Sequence, residues 1–342
     1  MKIDLVYLWV DGNDEKWLAK KNEALAKVGK PLVKSSIGDN RWRDNDELKY
    51  SLRSVEKFAP WINHIFIITD EQTPAWLNTE SSKVSIINQN DLIPTKYQPL
   101  YNSNAIEMFL HKIPNLSEHF LYANDDMFFG KPLTPDFFFD ENKNPIVQMR
   151  WGTQREKFKK PQDKIKNRKH FQRTIHNCLY FVYEKTGIKY NLKITHAIEP
   201  MRKSYLSENI QKYEQELVEA SATTFREATN IQRMVFPLLD NAQGRNTIIF
   251  AWHSKGKPAM IYDYRKDNFF KRFINIRKQF LFKFLGLAEY DFYQTTHNIA
   301  NRLKKVKPSL FCVNDEKKAV NNFENITDFM NEIFPNKSEF EK

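Results

Sequence analysis

The chain has 342 residues, 41% hydrophobic and 14% aromatic, which excludes a disordered protein and allows one large domain or two ordinary ones. Its 53 Lys and Arg exceed 42 Asp and Glu, and the net charge of +11 calls for an anionic partner: nucleic acid, a phosphorylated substrate or a membrane surface. Two cysteines, Cys178 and Cys312, make neither a disulfide framework nor a zinc pattern, and no run of about 18 apolar residues exists to span a bilayer.

The first residues, MKIDLVYLWVDG, are interrupted by Asp4 and Asp11 and do not read as a signal peptide. The expected location is cytoplasmic, with peripheral association at the inner face of the membrane as a second option. Ile3–Val10, β-branched and aromatic, predicts a buried strand running into the polar turn Asp11-Gly12-Asn13-Asp14. Leu48, Leu52, Val55 and Phe58 recur at helical spacing and predict a helix over Asp46–Phe58, ended by Pro60. Asp46 suits the cap of that helix. Ile62–Thr69 and Val84–Asn88 read as further strands, Asn104–Ile113 as a helix, and His119–Ala123 as a fourth strand.

That fourth strand ends in Asn124-Asp125-Asp126, two adjacent carboxylates inside the apolar run LYANDDMFFG. A carboxylate in apolar surroundings is costly unless paired, hydrogen-bonded or bound to a cation. Both acids could lie in a solvated turn, but alternating strands and helices predict an α/β sheet whose ligands sit beyond the strands' carboxyl ends. Asp11, Asp14, Asp70 and Asp125/Asp126 would share that edge, which favours a divalent-metal seat. There is neither a GxGxxG nor a Walker A motif.

Beyond Arg150 the texture changes. Ten Lys and Arg lie between Arg150 and Arg173 against Glu156 and Asp163, predicting a loop, exposed helix or flap. From Cys178 to Leu239 the patterns read as helical, as in Ser207–Glu219, with Pro237 breaking the last helix. Lys271–Tyr293 reads as an amphipathic helix, packed on a core or lying on an anionic membrane. The resulting division is an α/β part over 1–149, a basic segment over 150–176 and a mainly helical part over 177–342, all in one catalytic unit.

Four stretches taken together resemble the Stealth family of bacterial capsule phosphotransferases, relatives of the lysosomal-enzyme N-acetylglucosamine-1-phosphotransferase. They are IDLVYLWVDGND at Ile3–Asp14, the long block from Arg41 to Asp136 with RWRDNDELKYSL and HFLYANDDMFFG, THAIEPMRKSYL with FREATN, and SLFCVND at Ser309–Asp315. The resemblance implies a GT-A-like nucleotide-sugar-binding sheet flanked by helices, with a helical insertion. It implies transfer of a hexose 1-phosphate from a UDP-sugar to a sugar hydroxyl of a capsule or cell-surface polysaccharide, releasing UMP. The implied partners are the UDP-sugar donor and a polysaccharide or lipid-linked oligosaccharide acceptor, with no nucleic acid.

Residue by residue, the resemblance sets Asp11, Gly12, Asn13 and Asp14 against the nucleotide, with Arg41, Asn124 and Asn314 as further substrate contacts. Asp44 and His196 become candidate bases, and Arg226 a contact to the reacting phosphate. Asp125, Asp126 and Asp315 become the seat of Mg²⁺ or Mn²⁺, whose hard oxygen ligands suit a diphosphate donor. Arg43, beside Asp44, stands where many relatives carry an acid. Two alternatives stay open: a metal-dependent glycosyltransferase releasing UDP, and a non-catalytic module that binds polyanions through the basic charge alone.

Overall fold

The computed structural model describes residues 1–29, 42–151, 170–250, 287–291, 307–314 and 323–342. Its first half runs β1 (Ile3–Leu8), α1 (Glu15–Ala26), α2 (Glu47–Phe58), β2 (Ile65–Thr69), β3 (Val84–Asn88), α3 (Gln89–Leu92), α4 (Ser103–Ile106), β4 (His119–Asn124), β5 (Met127–Phe129) and β6 (Ile146–Trp151). The second half runs α5 (His170–Thr186), β7 (Leu192–Ile194), β8 (Glu199–Arg202), α6 (Lys203–Lys212), α7 (Glu214–Ser221), α8 (Val235–Ala242), β9 (Thr247–Phe250), β10 (Leu287–Asp291), β11 (Leu310–Asn314) and α9 (Phe323–Ile333).

The main sheet has the order β3-β2-β1-β4-β8, with the first four strands parallel and β8 antiparallel to β4. A parallel strand covered on both faces must be apolar almost throughout, and Ile65–Thr69 is buried at every position. Alternate side chains feed two cores. Val6, Phe66, Ile68, Phe120 and Tyr122 pack toward the helices of the second half. Leu5, Tyr7, Ile65, Ile67 and Leu121 meet Leu48, Leu52 and Val55 of α2 on the other face. Asp4, the acid inside the first apolar run, is buried but doubly satisfied: it accepts from Asn63 Nδ2 at 2.7 Å and from the Ser117 amide at 2.7 Å. It ties two loops to the strand starts. Two three-stranded sheets complete the fold, β10-β11-β5 and β7-β6-β9.

Several sequence expectations need correction. The stretch read as one helix over Asn104–Ile113 is α4 followed by a 3₁₀ turn at Glu107–Lys112. Glu107, Met108, Phe109 and Leu110 are all buried, which a one-sided amphipathic helix would not achieve. The region from Cys178 to Leu239 is not uniformly helical, because β7 and β8 interrupt it. Pairing with β4 makes β8 a strand, and Pro200 is tolerated there because β8 is an edge. The helix read over Ser207–Glu219 breaks at Tyr213 into α6 and α7.

Pro237 sits in the first turn of α8, where its missing N–H has no intrahelical partner to lose, so it starts a helix rather than ending one. Within the stretch read as an amphipathic helix, Leu287–Asp291 is β10, paired with β11; the rest lies outside the described residues. Of the basic segment, Arg150 belongs to β6 and Phe171–Arg173 to α5, while 152–169 also lies outside. Among the described residues, no helix is long and apolar enough to cross a membrane.

Candidate active site

The carboxyl ends of β1, β2 and β4 and the approach to β8 open into a cavity of about 370 Å³. Trp9 and Val10 follow β1, Asp70 follows β2, and Asn124, Asp125 and Asp126 end β4; all line this space. So do His196, just ahead of β8, and Arg226, in the loop between α7 and α8. Candidates separated by a hundred residues are thus brought to one edge by the sheet order.

The acid turn is held from below. The Asp126 amide donates to Asp125 Oδ1 at 3.1 Å, the Cys312 thiol donates to Asp126 Oδ2 at 3.2 Å, and the Val313 amide donates to the Asp126 carbonyl at 3.0 Å. Burial, then the charges of Asp126, Glu47 and Asp44, pushes Asp125 well above the usual carboxylate range. Glu47 is pushed up to about 8, mainly by burial, although the Asn45 amide and Nδ2 each donate to it at 2.6 Å. Burial and the neighbouring Asp46 charge push Asp44 up to about 6, while the Asp46 amide donates to Asp44 Oδ1 at 3.0 Å. Several carboxylates therefore share one buried place, with Arg43 lining the same cavity. Their hard oxygen donors suit Mg²⁺ or Mn²⁺. Among the described residues, no three His, Cys, Asp or Glu side chains form a ready-made cage, and Asp315 lies outside the description.

Asp46 occupies the position before α2 but makes no side-chain cap; its carboxylate pairs with Lys49 at 2.5 Å, and its backbone is left-handed at φ 63°. Asp44, two residues earlier, lies near enough to Glu47 and Asp125 for its charge to raise both.

Arg226 reaches the cavity through a polar scaffold. Its guanidinium Nη2 donates to Ser103 Oγ. Asn102 Nδ2 donates to the Ser221 carbonyl at 3.0 Å and to Asn230 Oδ1 at 3.0 Å, fastening the loop that carries Arg226 to the start of α4. Tyr101 stacks on Phe225 at 5.4 Å and its amide donates to the Thr224 carbonyl at 2.7 Å. Beneath lies a buried network: Arg233 bonds Glu107 at 3.0 Å and Glu199 at 3.0 Å. Tyr122, from β4, contacts Glu107 Oε1 at 3.0 Å and Asn124 Oδ1 at 3.1 Å.

The turn from Asp11 to Asp14 is fixed by its own hydrogen bonds. Asp11 Oδ1 accepts from the Asn13 amide at 2.8 Å, and the Asp11 backbone is clamped by Gln72 at 3.1 and 2.8 Å. Asp14 caps α1, accepting from the Trp17 amide at 2.9 Å. The Gly12 amide donates to the Trp42 carbonyl at 2.6 Å, and a Cβ there would meet that oxygen at 2.4 Å. Asp11 to Asp14 thus build the wall, while Trp42 and Trp17 present it. Trp17 lies 5.3 Å from Trp42 and 5.6 Å from Tyr101, ring to ring, and with Trp9 they form an aromatic flank. Arg41 and Asp315 lie outside the described residues, and Asn314 ends β11 opposite Asp291.

The sequence reading missed Glu47, the aromatic flank and the asparagines behind Arg226. Glu47 looked like a first-turn acid favoured by the helix dipole, and only its burial separates the two roles. Trp17, Trp42 and Tyr101 have no periodic signal, because they meet only through the tertiary fold.

Comparison with known proteins places these features. Residues 1–29 match the family model for Stealth protein conserved region 1, and 41–147 match that for conserved region 2. The chain is 46% identical over 140 residues to a capsular polysaccharide phosphotransferase of Haemophilus influenzae, an alignment covering 41% of this chain and 38% of that protein. It is 30% identical to a capsular polysaccharide phosphotransferase of Actinobacillus suis, covering 97% of this chain and 82% of the relative. With an exopolysaccharide phosphotransferase of Lactiplantibacillus plantarum it shares 30% identity, over 99% and 96% of the two chains. Among solved structures, it is similar to the galactosyltransferase LgtC in complex with donor and acceptor sugar analogs, at TM-score 0.42 and 11% identity over 96% of each chain. Full-length likeness at this identity, joined to both conserved-region matches, makes the chain a member of the Stealth family.

Proposed function

We propose that this protein transfers a hexose or N-acetylhexosamine 1-phosphate from a UDP-sugar to a sugar hydroxyl of a growing capsule or exopolysaccharide, forming a phosphodiester and releasing UMP. One observation carries the reading: Asp125, Asp126, His196 and Arg226 line the same cavity, beyond the carboxyl ends of the strands. That set joins hard oxygen donors, a proton acceptor and a guanidinium fork, which phosphoryl transfer requires and a simple polyanion-binding surface does not. The names of the relatives, all polysaccharide phosphotransferases, support the same class.

In this mechanism the acceptor hydroxyl gives its proton to His196 or Asp44 and its oxygen attacks the phosphorus that carries the sugar. The bond from that phosphorus to the bridging oxygen breaks, and UMP leaves with the bonding pair. Arg226, oriented by Ser103, faces the equatorial oxygens, where charge accumulates. A Mg²⁺ or Mn²⁺ on Asp125 and Asp126, with Asp315 as the further acid, would neutralise the diphosphate. The packed rings of Trp17, Trp42 and Tyr101 give the nucleotide a rigid apolar wall at that end of the cavity. A nucleotide-sugar donor also favours action in the cytoplasm, at the inner membrane face if the acceptor is lipid-linked.

The test is a donor labelled with ³²P at the sugar-linked phosphate. Phosphotransfer puts the label in the saccharide and leaves UMP unlabelled. Label recovered in UDP, with none in the product, would assign the chain to glycosyl transfer and refute the reading.

A further inference from the structure

The sheet order gives the cavity a direction. Asp70 follows β2 and acts on Tyr101, which packs against Trp17; the acid turn lies at the end of β4, and His196 lies toward β8 at the opposite edge. In-line displacement at phosphorus requires the attacking oxygen and the leaving nucleotide on opposite sides of the reacting atom. If the nucleotide takes the aromatic flank, the acceptor must approach from the β8 edge.

At that edge stands an aromatic ring that the core does not use. Phe171 is 43% exposed and is, with Met1, one of two large hydrophobic side chains exposed among the described residues. It continues the apolar stripe of α5: Ile175, Cys178 and Val182 follow it at spacings of four, three and four, and all three are buried. The stripe thus runs one turn past the core. Its last ring lies 5.9 Å from the His196 ring, centroid to centroid, and His196 lines the cavity. A pyranose has an apolar face of C–H groups and a rim of hydroxyls. Such a ring can lay that face on Phe171 while presenting a hydroxyl to His196.

We propose that Phe171 and His196 form the acceptor-sugar platform, on the side of the acid turn opposite the nucleotide. The proposal rests on the phosphotransfer reading for its direction. It makes His196, rather than Asp44, the group nearer the acceptor hydroxyl. Phe171 is a docking residue and takes no part in proton transfer.

The test uses the full-length chain with Mg²⁺ and UDP, and the methyl β-glycosides of glucose, galactose and N-acetylglucosamine as probes. Saturation-transfer NMR of the glycosides is expected with the wild-type chain and with Phe171→Trp. Binding should fall about tenfold in Phe171→Ala, the loss expected for one aromatic contact. Calorimetric UDP affinity should be the same in all three. Glycoside binding that survives Phe171→Ala unchanged, absence of glycoside binding by the wild type, or equal loss of UDP affinity would each overturn the platform. A chain that binds glycosides through Phe171 yet releases UDP from UDP-sugars would retain the platform while refuting phosphotransfer.

Discussion

Arg233 is the residue whose removal the fold should tolerate least. Arg233 is 8% exposed, and its guanidinium bonds two buried carboxylates, Glu107 and Glu199, from two different elements. Its guanidinium carbon also lies 4.7 Å from the Tyr122 ring centre. Arg233→Met keeps much of the volume but removes the guanidinium that bonds both acids. Breaking a buried pair in this way costs about 3–5 kcal/mol, which for a chain of this length is roughly 4–7 °C in melting temperature. The sign with pH follows from Glu199. Burial already holds its carboxyl above the usual carboxylate range and the Arg233 charge pulls it down, so removing Arg233 raises it further and the variant loses stability as pH rises and Glu199 ionises. Urea unfolding should therefore show a larger deficit at pH 8 than at pH 5.5. The triple variant Arg233→Met, Glu107→Gln, Glu199→Met should recover most of the loss, since it removes the charges along with their partner. A deficit under about 1 kcal/mol at pH 8, or one independent of pH, would refute the claim that this network is a buried charge balance.

Asp125→Asn and Asp126→Asn should each lower turnover at least about a hundredfold with melting temperature nearly kept, and unchanged rates at limiting Mg²⁺ in both would refute the metal seat. His196→Ala and Asp44→Asn should each cost about 10²–10⁴-fold in kcat with donor KM less affected; retention of activity by one identifies the other as the base, and retention by both refutes the catalytic assignment. Burial pushes Asp240 up to about 7, against the Asn209 amide that donates to it at 2.8 Å. Its folded pKa is raised, so its contribution is fully present below about pH 4 and is lost as pH rises toward 7; Asp240→Asn should be more stable than wild type at pH 8 by up to roughly 4 kcal/mol, with the gap closing as pH falls in parallel urea titrations.

Much of the sheet was legible because a strand buried on both faces has no choice of residue. The stretch Ile62–Thr69 read as a strand from composition alone and contains β2, buried at every position, and Asp125 and Asp126 stood out because two acids interrupt such a run. The second half was harder. β8 contains Glu199, Pro200 and Arg202, poor strand formers, and it exists because β4 offers an open edge. Tertiary pairing overrides local preference there. The break at Tyr213 is likewise invisible in the helical stretch around it, because α6 and α7 pack on different neighbours.

The site divides along the same line. Residues that must be acids or cations in apolar places announce themselves, since chemistry alone explains their cost. The groups that aim them do not. Asn102 looks like an ordinary loop asparagine, yet its single amide nitrogen fastens the Arg226 loop to α4 through carbonyls 119 and 121 residues away. Gly12 reads as a turn glycine, but its lack of a side chain lets the Trp42 carbonyl approach and so fixes one panel of the aromatic flank. In both cases the residue is chosen by a partner distant in sequence. The Gly12 contact makes a specific demand on the turn: a side chain at Gly12 would meet the Trp42 carbonyl and Cβ at 2.4 and 2.5 Å, so Gly12→Ala should displace Trp42 from its place beside the cavity.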